Sequence, residues 1–166
     1  MNFNFRKLFM LPALFAIVFV QSCHNDPEPV MPGVDGYFVV NEGGYGNGNT
    51  SISFYDRATD QMTNDVFAIK NGRPLGDQAQ SMTVFEGKGY ILVQGSGKIE
   101  VINADDYSSL ATITEDIEAP RYFIAISSSK AYVSDWGTDG ITGTVKVIDL
   151  TTNTVTLLER WENVTN

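Results

Sequence analysis

The chain is poor in the side chains that most catalysts need. It has one histidine and one cysteine in 166 residues. A lone cysteine excludes an internal disulfide. His24 stands beside Cys23, both before the first β-like segment, so no Ser-His-Asp or Cys-His pair can be assembled from the rest of the sequence. No His/Cys cluster has zinc spacing. Basic residues are also scarce: 11 Lys and Arg against 20 Asp and Glu give a formal charge of −9. Such a chain repels nucleic-acid backbones and anionic lipid surfaces. Long apolar runs are missing as well. The main one, Leu8 to Val20, is thirteen residues and holds Pro12, short of the ~20 needed to span a bilayer core as a helix. No segment after residue 33 sustains apolar residues at i, i+3, i+4 and i+7.

What is present begins at the N-terminus. Arg6 and Lys7 precede the apolar run, and Gln21-Ser22-Cys23 follows it. A basic start, a short apolar core and small residues before a cleavage point read as a secretory signal peptide over residues 1–22. Phe19-Val20-Gln21-Ser22-Cys23 resembles a lipobox. That resemblance implies cleavage before Cys23 and a diacylglycerol thioether on its sulfur, hence a membrane partner through lipid. Removing Arg6 and Lys7 from the formal −9 leaves −11 on the mature part. Residues 23–35 carry Pro27, Pro29 and Pro32 among polar residues and read as an extended tether. Asp26 and Glu28 resemble the acidic export signals of surface-exposed lipoproteins. The location this implies is the outer membrane of the cell envelope, with the cell surface as the exposed face.

Fifteen glycines and frequent Thr, Val, Ile, Tyr and Phe point to β structure. Three segments repeat. The first holds Gly36-Tyr37-Phe38-Val39-Val40-Asn41 and then Ser51-Ile52-Ser53-Phe54-Tyr55-Asp56. The second holds Gly89-Tyr90-Ile91-Leu92-Val93-Gln94 and then Lys98 to Asn103. The third holds Ala131-Tyr132-Val133-Ser134-Asp135-Trp136 and then Thr144 to Asp149. The landmarks Asp56, Asn103 and Asp149 are 47 and 46 residues apart, in the range of propeller blades, ~40–50 residues. Val-x-Val-Ile-Asp alternates as a half-buried strand does, and its terminal Asp or Asn suits a turn whose backbone it can accept from. Outer strands are expected over Gln61 to Ala68, Ser108 to Thr114 and Thr154 to Glu159. Inner strands are expected over Gln80 to Phe85 and Arg121 to Ile126.

The expected fold is all-β: propeller blades of four antiparallel strands, about three units (near 36–76, 77–116 and 117–160) in a partial propeller over 36–166, an incomplete ring. The first unit lacks an innermost strand, which leaves about eleven. Tyr132-Val133-Ser134-Asp135 through Val145-Lys146-Val147-Ile148-Asp149 resembles the YVTN-type repeat of YncE-like seven-bladed propellers. The second unit departs from it at Gln94 and Asn103. Set beside a ring of four to eight blades, the chain reads as a truncated product or fragment of a longer propeller lipoprotein, or else as a half-ring that closes with another copy.

The functional expectation is an exported, lipid-anchored module that binds a ligand or partner, without enzymatic activity and without cofactor or metal. The resemblance implies corrinoid capture beside an outer-membrane transporter as one such role. The alternatives are a non-functional fragment and an enzyme of the lactonase or quinoprotein-like type. The glycine-rich stretch 41–50 lacks the Lys-Ser/Thr ending of a phosphate loop. It reads as a long loop on one rim, as does 137–143, with Gln94-Gly95-Ser96-Gly97 a short equivalent. Candidate ligand-binding residues are Tyr45, Asn47, Arg121, Asp135 and Trp136. Arg121 stands at the start of an inner strand near the channel, and Arg73-Pro74 reads as the corresponding approach one unit earlier.

Overall fold

The computed structural model describes residues 35–160; Cys23, the leader and most of the tether lie outside these residues. Among the described residues, eleven strands form three antiparallel sheets in sequence order. The first contains β1 (Gly36–Asn41), β2 (Ser51–Asp56) and β3 (Gln61–Thr63). The second contains β4 (Ala79–Phe85), β5 (Lys88–Val93), β6 (Lys98–Asn103) and β7 (Ser109–Ile113). The third contains β8 (Pro120–Ser127), β9 (Lys130–Asp135), β10 (Thr144–Asp149) and β11 (Thr154–Arg160). Each sheet is a meander in which every strand pairs with the next. The fold is all-β, built as three propeller-like blades. Among the described residues no helix is long and apolar enough to cross a membrane.

The repeat has a local cause at its turns. Asp56 accepts from the N–H of Ala58, Asn103 from that of Asp105, and Asp149 from that of Thr151, each at 2.8 Å. Four residues past each landmark the backbone is left-handed, at Asp60 (φ 57°), Tyr107 (φ 65°) and Asn153 (φ 58°). An Asx-type bond opens the turn and one left-handed residue closes it.

The sheets stack face to face. Ile91, Val93 and Ile102 of the middle sheet pack with Ile52, Phe54, Val66, Phe67 and Leu75 of the preceding unit and its connection. On its opposite face Tyr90, Leu92, Ile99 and Val101 pack with Phe123, Ala131, Val133 and Ile148 of the third. The Tyr90 and Phe123 rings stack there at 4.4 Å. Burying each such aliphatic side chain contributes roughly 1.5–3 kcal/mol, and the middle sheet collects this on both faces.

Double burial replaces the half-buried alternation expected of Val-x-Val-Ile-Asp in β6 of the middle sheet, whereas β10 keeps the alternation with its polarity inverted, Lys146 and Ile148 being buried and Val145 and Val147 partly exposed. The polar position x is buried in all three units, as Ser53, Glu100 and Lys146. Each has its own partners. Ser53 bonds Asn41 and Asn64. Glu100 is held by Arg73, Lys98, Ser109 and Thr112. Lys146 reaches Asp135 and the Asp116 carbonyl.

Two further expectations change. The stretch Gln61 to Ala68 is not one strand. After β3 the chain turns through Asp65, left-handed at φ 53°, into helix α1 (Val66–Asn71). Val66 and Phe67 are thereby driven into the core between the first two sheets. The first unit is also offset by one residue from the Gly-Tyr alignment. Gly36 pairs with Asp56, whereas Lys88 pairs with Asn103 and Lys130 with Asp149. Phe38, rather than Tyr37, therefore occupies the position of Tyr90 and Tyr132. A one-residue slip exchanges the faces of a strand, so Phe38 turns inward and Tyr37 outward.

Candidate functional site

The β1–β2, β5–β6 and β9–β10 loops lie on one rim with the connections that lead into β4 and β8. Polar bonds tie these segments together. Thr50, buried, donates its hydroxyl to the Asn41 carbonyl and accepts from the Ala79 N–H. Asp77 accepts from the N–H groups of Gly46 and Gly48, so the glycine-rich loop is pinned at its tip instead of hanging free. The β5–β6 connection is a single 3-10 turn, Gln94–Ser96, closed by left-handed Gly97 (φ 56°). A Cβ at Gly97 would stand 3.0 Å from the Glu118 carbonyl, so the close approach of the next connection also requires glycine.

Asp135 is the anchor of the third unit's end of the rim. Its carboxylate accepts from the N–H groups of Glu118, Ala119 and Gly137 and from Lys146 Nζ. Burial pushes its pKa up, but those four donors together outweigh burial and hold it below the ordinary carboxylate value. Asp135 is therefore buried, with both oxygens occupied by donors of the protein itself. Its sequence signal, an Asp ahead of an extended loop, marked position on the rim but not depth.

Arg121 and Trp136 do come together. The guanidinium lies over the indole, 3.5 Å from the ring centroid. Arg121 Nη1 donates to Gln80 Oε1 at 2.6 Å, and Gln80 Nε2 donates to Glu42 Oε1 at 2.7 Å. A line of side chains, Glu42–Gln80–Arg121–Trp136, thus runs from the end of β1 through the inner strands β4 and β8 to the residue that follows β9. Ser81 and Thr83 of β4 donate to the Arg121 and Phe123 carbonyls, satisfying the open edge of β8. Trp136 remains 49% exposed. Tyr45, at 83%, and Asn47 stand on the exposed tip of the pinned loop. Glu42 and Gln80 escaped sequence reasoning, because only the sheet stacking brings residues of different units side by side. Arg73 does not approach the channel. It binds Glu100 and lies over the Phe67 ring between the first two sheets.

A separate cavity of about 420 Å³ opens in the third unit, lined among others by Asp116, Glu118, Asp139 and Lys146. Its polar groups are largely engaged by the protein. Asp139, drawn down to about 2 by the N–H groups of Thr142 and Ile141 and the Thr142 hydroxyl, shapes its own loop. Glu118 Oε2 accepts from the Thr138 N–H. Among the described residues no group of three His, Cys, Asp or Glu is arranged to hold a metal ion.

This architecture defines the class: sheets of a β-propeller type, stacked as blades, with loops gathered on one rim. The chain belongs to the family described as "Domain of unknown function (DUF5074)", whose model matches residues 35–164. No curated protein matches it. Among solved structures it is similar to the hydrazine synthase of Kuenenia stuttgartiensis, with a TM-score of 0.57 and 16% identity over 76% of this chain and 33% of that chain. It is also similar to a chain of the nidogen/laminin complex, with a TM-score of 0.52 and 12% identity over 67% of this chain and 40% of that one. The chain therefore spans between a third and two fifths of these proteins, and the likeness is one of fold.

Proposed function

We propose that the protein is a binding module of the cell envelope, anchored by lipid on Cys23, whose Arg121–Trp136 rim takes up a ligand or partner. The observation that carries this reading is the half-exposed indole backed by a guanidinium. One face of Trp136 is held flat by Arg121, Gln80 fixes Arg121, and Glu42 fixes Gln80. Such a pre-ordered aromatic surface binds a flat apolar group with little further loss of side-chain freedom. Tyr45 and Asn47 add an aromatic and an amide on the same rim.

The YVTN-type pattern of the third unit supports assignment to YncE-like lipoprotein propellers, and with it a corrinoid as the first ligand to try. A corrinoid offers a broad planar ring to Trp136 and amide side chains to the rim. Equilibrium binding of cyanocobalamin to the lipid-free mature chain tests this. Saturable binding weakened at least tenfold by Trp136→Ala supports the reading. Binding that is absent, or indifferent to that substitution, removes the corrinoid. Anchoring is tested separately by mass spectrometry of the N-terminal peptide, which should carry a diacylglycerol on Cys23.

A further inference from the structure

The chain holds two Asn-Gly pairs, Asn47-Gly48 and Asn71-Gly72. The side-chain carbonyl carbon of an asparagine before glycine is open to attack by the next backbone nitrogen, because glycine has no Cβ to shield that nitrogen. The structure treats the two pairs differently. Asn71 Nδ2 donates to the Phe67 and Tyr107 carbonyls at 2.8 and 2.9 Å, and its Oδ1 accepts from the Ser109 N–H. The Gly72 N–H closes α1 on the Ala68 carbonyl. Cyclisation at Asn71 would break all of these bonds and leave their part-buried partners unpaired.

Asn47 is exposed at the tip of the β1–β2 loop. Its amide rests beside Gly44. Nothing among the described residues bonds that amide, so it turns freely about the Cα–Cβ bond. The backbone around it is left-handed at Gly46 (φ 73°) and Gly48 (φ 60°). The Gly48 N–H points at Asp77 Oδ1, 3.4 Å away, while Asp77 Oδ2 holds the Gly46 N–H at 2.8 Å. An attacking nitrogen, its electrophile one residue back and a carboxylate base for the proton thus meet in a loop that water reaches.

We infer that Asn47-Gly48 is a site of self-catalysed deamidation, with Asp77 as the base for the attacking nitrogen. The Gly48 nitrogen bonds to Asn47 Cγ, and its proton passes to Asp77. The Cγ–Nδ2 bond breaks, and Nδ2 leaves as ammonia with the proton returned from Asp77. A cyclic succinimide remains, and water opens it. Addition of water at Cγ gives aspartate. Addition at the Asn47 backbone carbonyl gives isoaspartate, with the chain running through the side chain. The sum is one amide and one water converted to one acid and one ammonia, with no oxidation or reduction. Either product adds a negative charge to the loop that Asp77 pins, and isoaspartate also lengthens its backbone. The hold of Asp77 is then lost, which frees the segment bearing Tyr45. None of this depends on the ligand proposed for the rim.

The test is to hold the full-length protein at neutral pH and map its peptides over time by mass spectrometry, with digestion in acid and fragmentation that separates aspartate from isoaspartate. In the folded chain, residue 47 should lose its amide at least tenfold faster than residue 71 and yield both acids. In denaturant the two sites should convert at similar rates, because the folded contacts that protect Asn71 are gone. Asp77→Asn keeps an acceptor for the two N–H groups but removes the base. It should melt within a few degrees of the parent and slow conversion at Asn47 severalfold. Asp77→Ser answers the same question should the first variant melt lower. Equal rates at the two sites in the folded chain overturn the inference, as does aspartate at residue 47 without isoaspartate. A folded Asp77 variant that converts as fast as the parent, or faster, overturns it too, since Asp77 would then only restrain the loop.

Discussion

Lys146 Nζ lies 3.1 Å from Asp135 Oδ2, with the carboxylate wholly buried and the lysine side chain 10% exposed. The pair joins β9 to β10 and, through the Glu118 and Ala119 N–H groups, fixes the connection that enters β8. Removing one partner of a buried pair leaves the other without compensation, at a cost of about 3–5 kcal/mol. Asp135→Asn should therefore lower unfolding free energy by about 3 kcal/mol in chemical denaturation, through an uncompensated Lys146 and an amide NH₂ forced against backbone N–H donors.

The acid limb of stability should be set by Asp135 and Glu100. Burial raises the Glu100 pKa, but its bonds from Arg73, Ser109 and Lys98 together bring it below the ordinary value, as the donors around Asp135 do there. With folded values below unfolded ones, the unfolded chain takes up these protons first as pH falls. The contribution is present above the unfolded carboxylate pKa, near 4, and is lost as pH falls through the lower folded values. Unfolding midpoints measured from pH 6 to pH 3 should decline. Glu100→Gln should lower the pH 6 midpoint and flatten that slope.

The left-handed turn residues allow a check on the repeat itself. Asn153 tolerates φ 58° better than a β-branched residue would. Asn153→Gly should be within about 0.5 kcal/mol of the parent, whereas Asn153→Val should cost about 1–2 kcal/mol by thermal melting. Gly97→Ala, which adds a Cβ against the Glu118 carbonyl, should cost about 1 kcal/mol or more.

Arg121 and Trp136 give an optical handle. Arg121→Ala should remove a cation–π contact of about 0.5–1 kcal/mol and change the Trp136 contribution to the fluorescence. Gln80→Ala should produce a smaller change in the same direction, because it frees Arg121 without deleting it. Identical spectra in both variants would mean that Arg121 does not rest on the indole in solution.

The strand order was readable because each unit carries its own local signals: a Tyr- or Phe-led strand, an alternating strand and an Asx landmark. The one-residue offset of the first unit was not, because Gly36-Tyr37 looks like Gly89-Tyr90 and only pairing to Asp56 distinguishes them. The helix over Val66–Asn71 escaped for a similar reason. Six residues are too few for a helical period to appear, and Val66 and Phe67 are placed by the cavity they fill. At the rim, Arg121 and Trp136 were legible as an inner-strand cation and a loop aromatic, while the depth of Asp135 and the bridging role of Gln80 depend on contacts between units.

Face-to-face stacking, with the middle sheet covered on both sides, is the claim on which the rim and the buried polar position both depend. Native-state hydrogen exchange resolved by residue tests it most directly. The slowest amides should be those of β5 and β6, with Ile91, Leu92, Ile99 and Val101 exchanging only through global unfolding, and those of β1 and β11 should exchange orders of magnitude faster. Equal protection in all three sheets, or a middle sheet that exchanges as fast as the outer two, would contradict the stack.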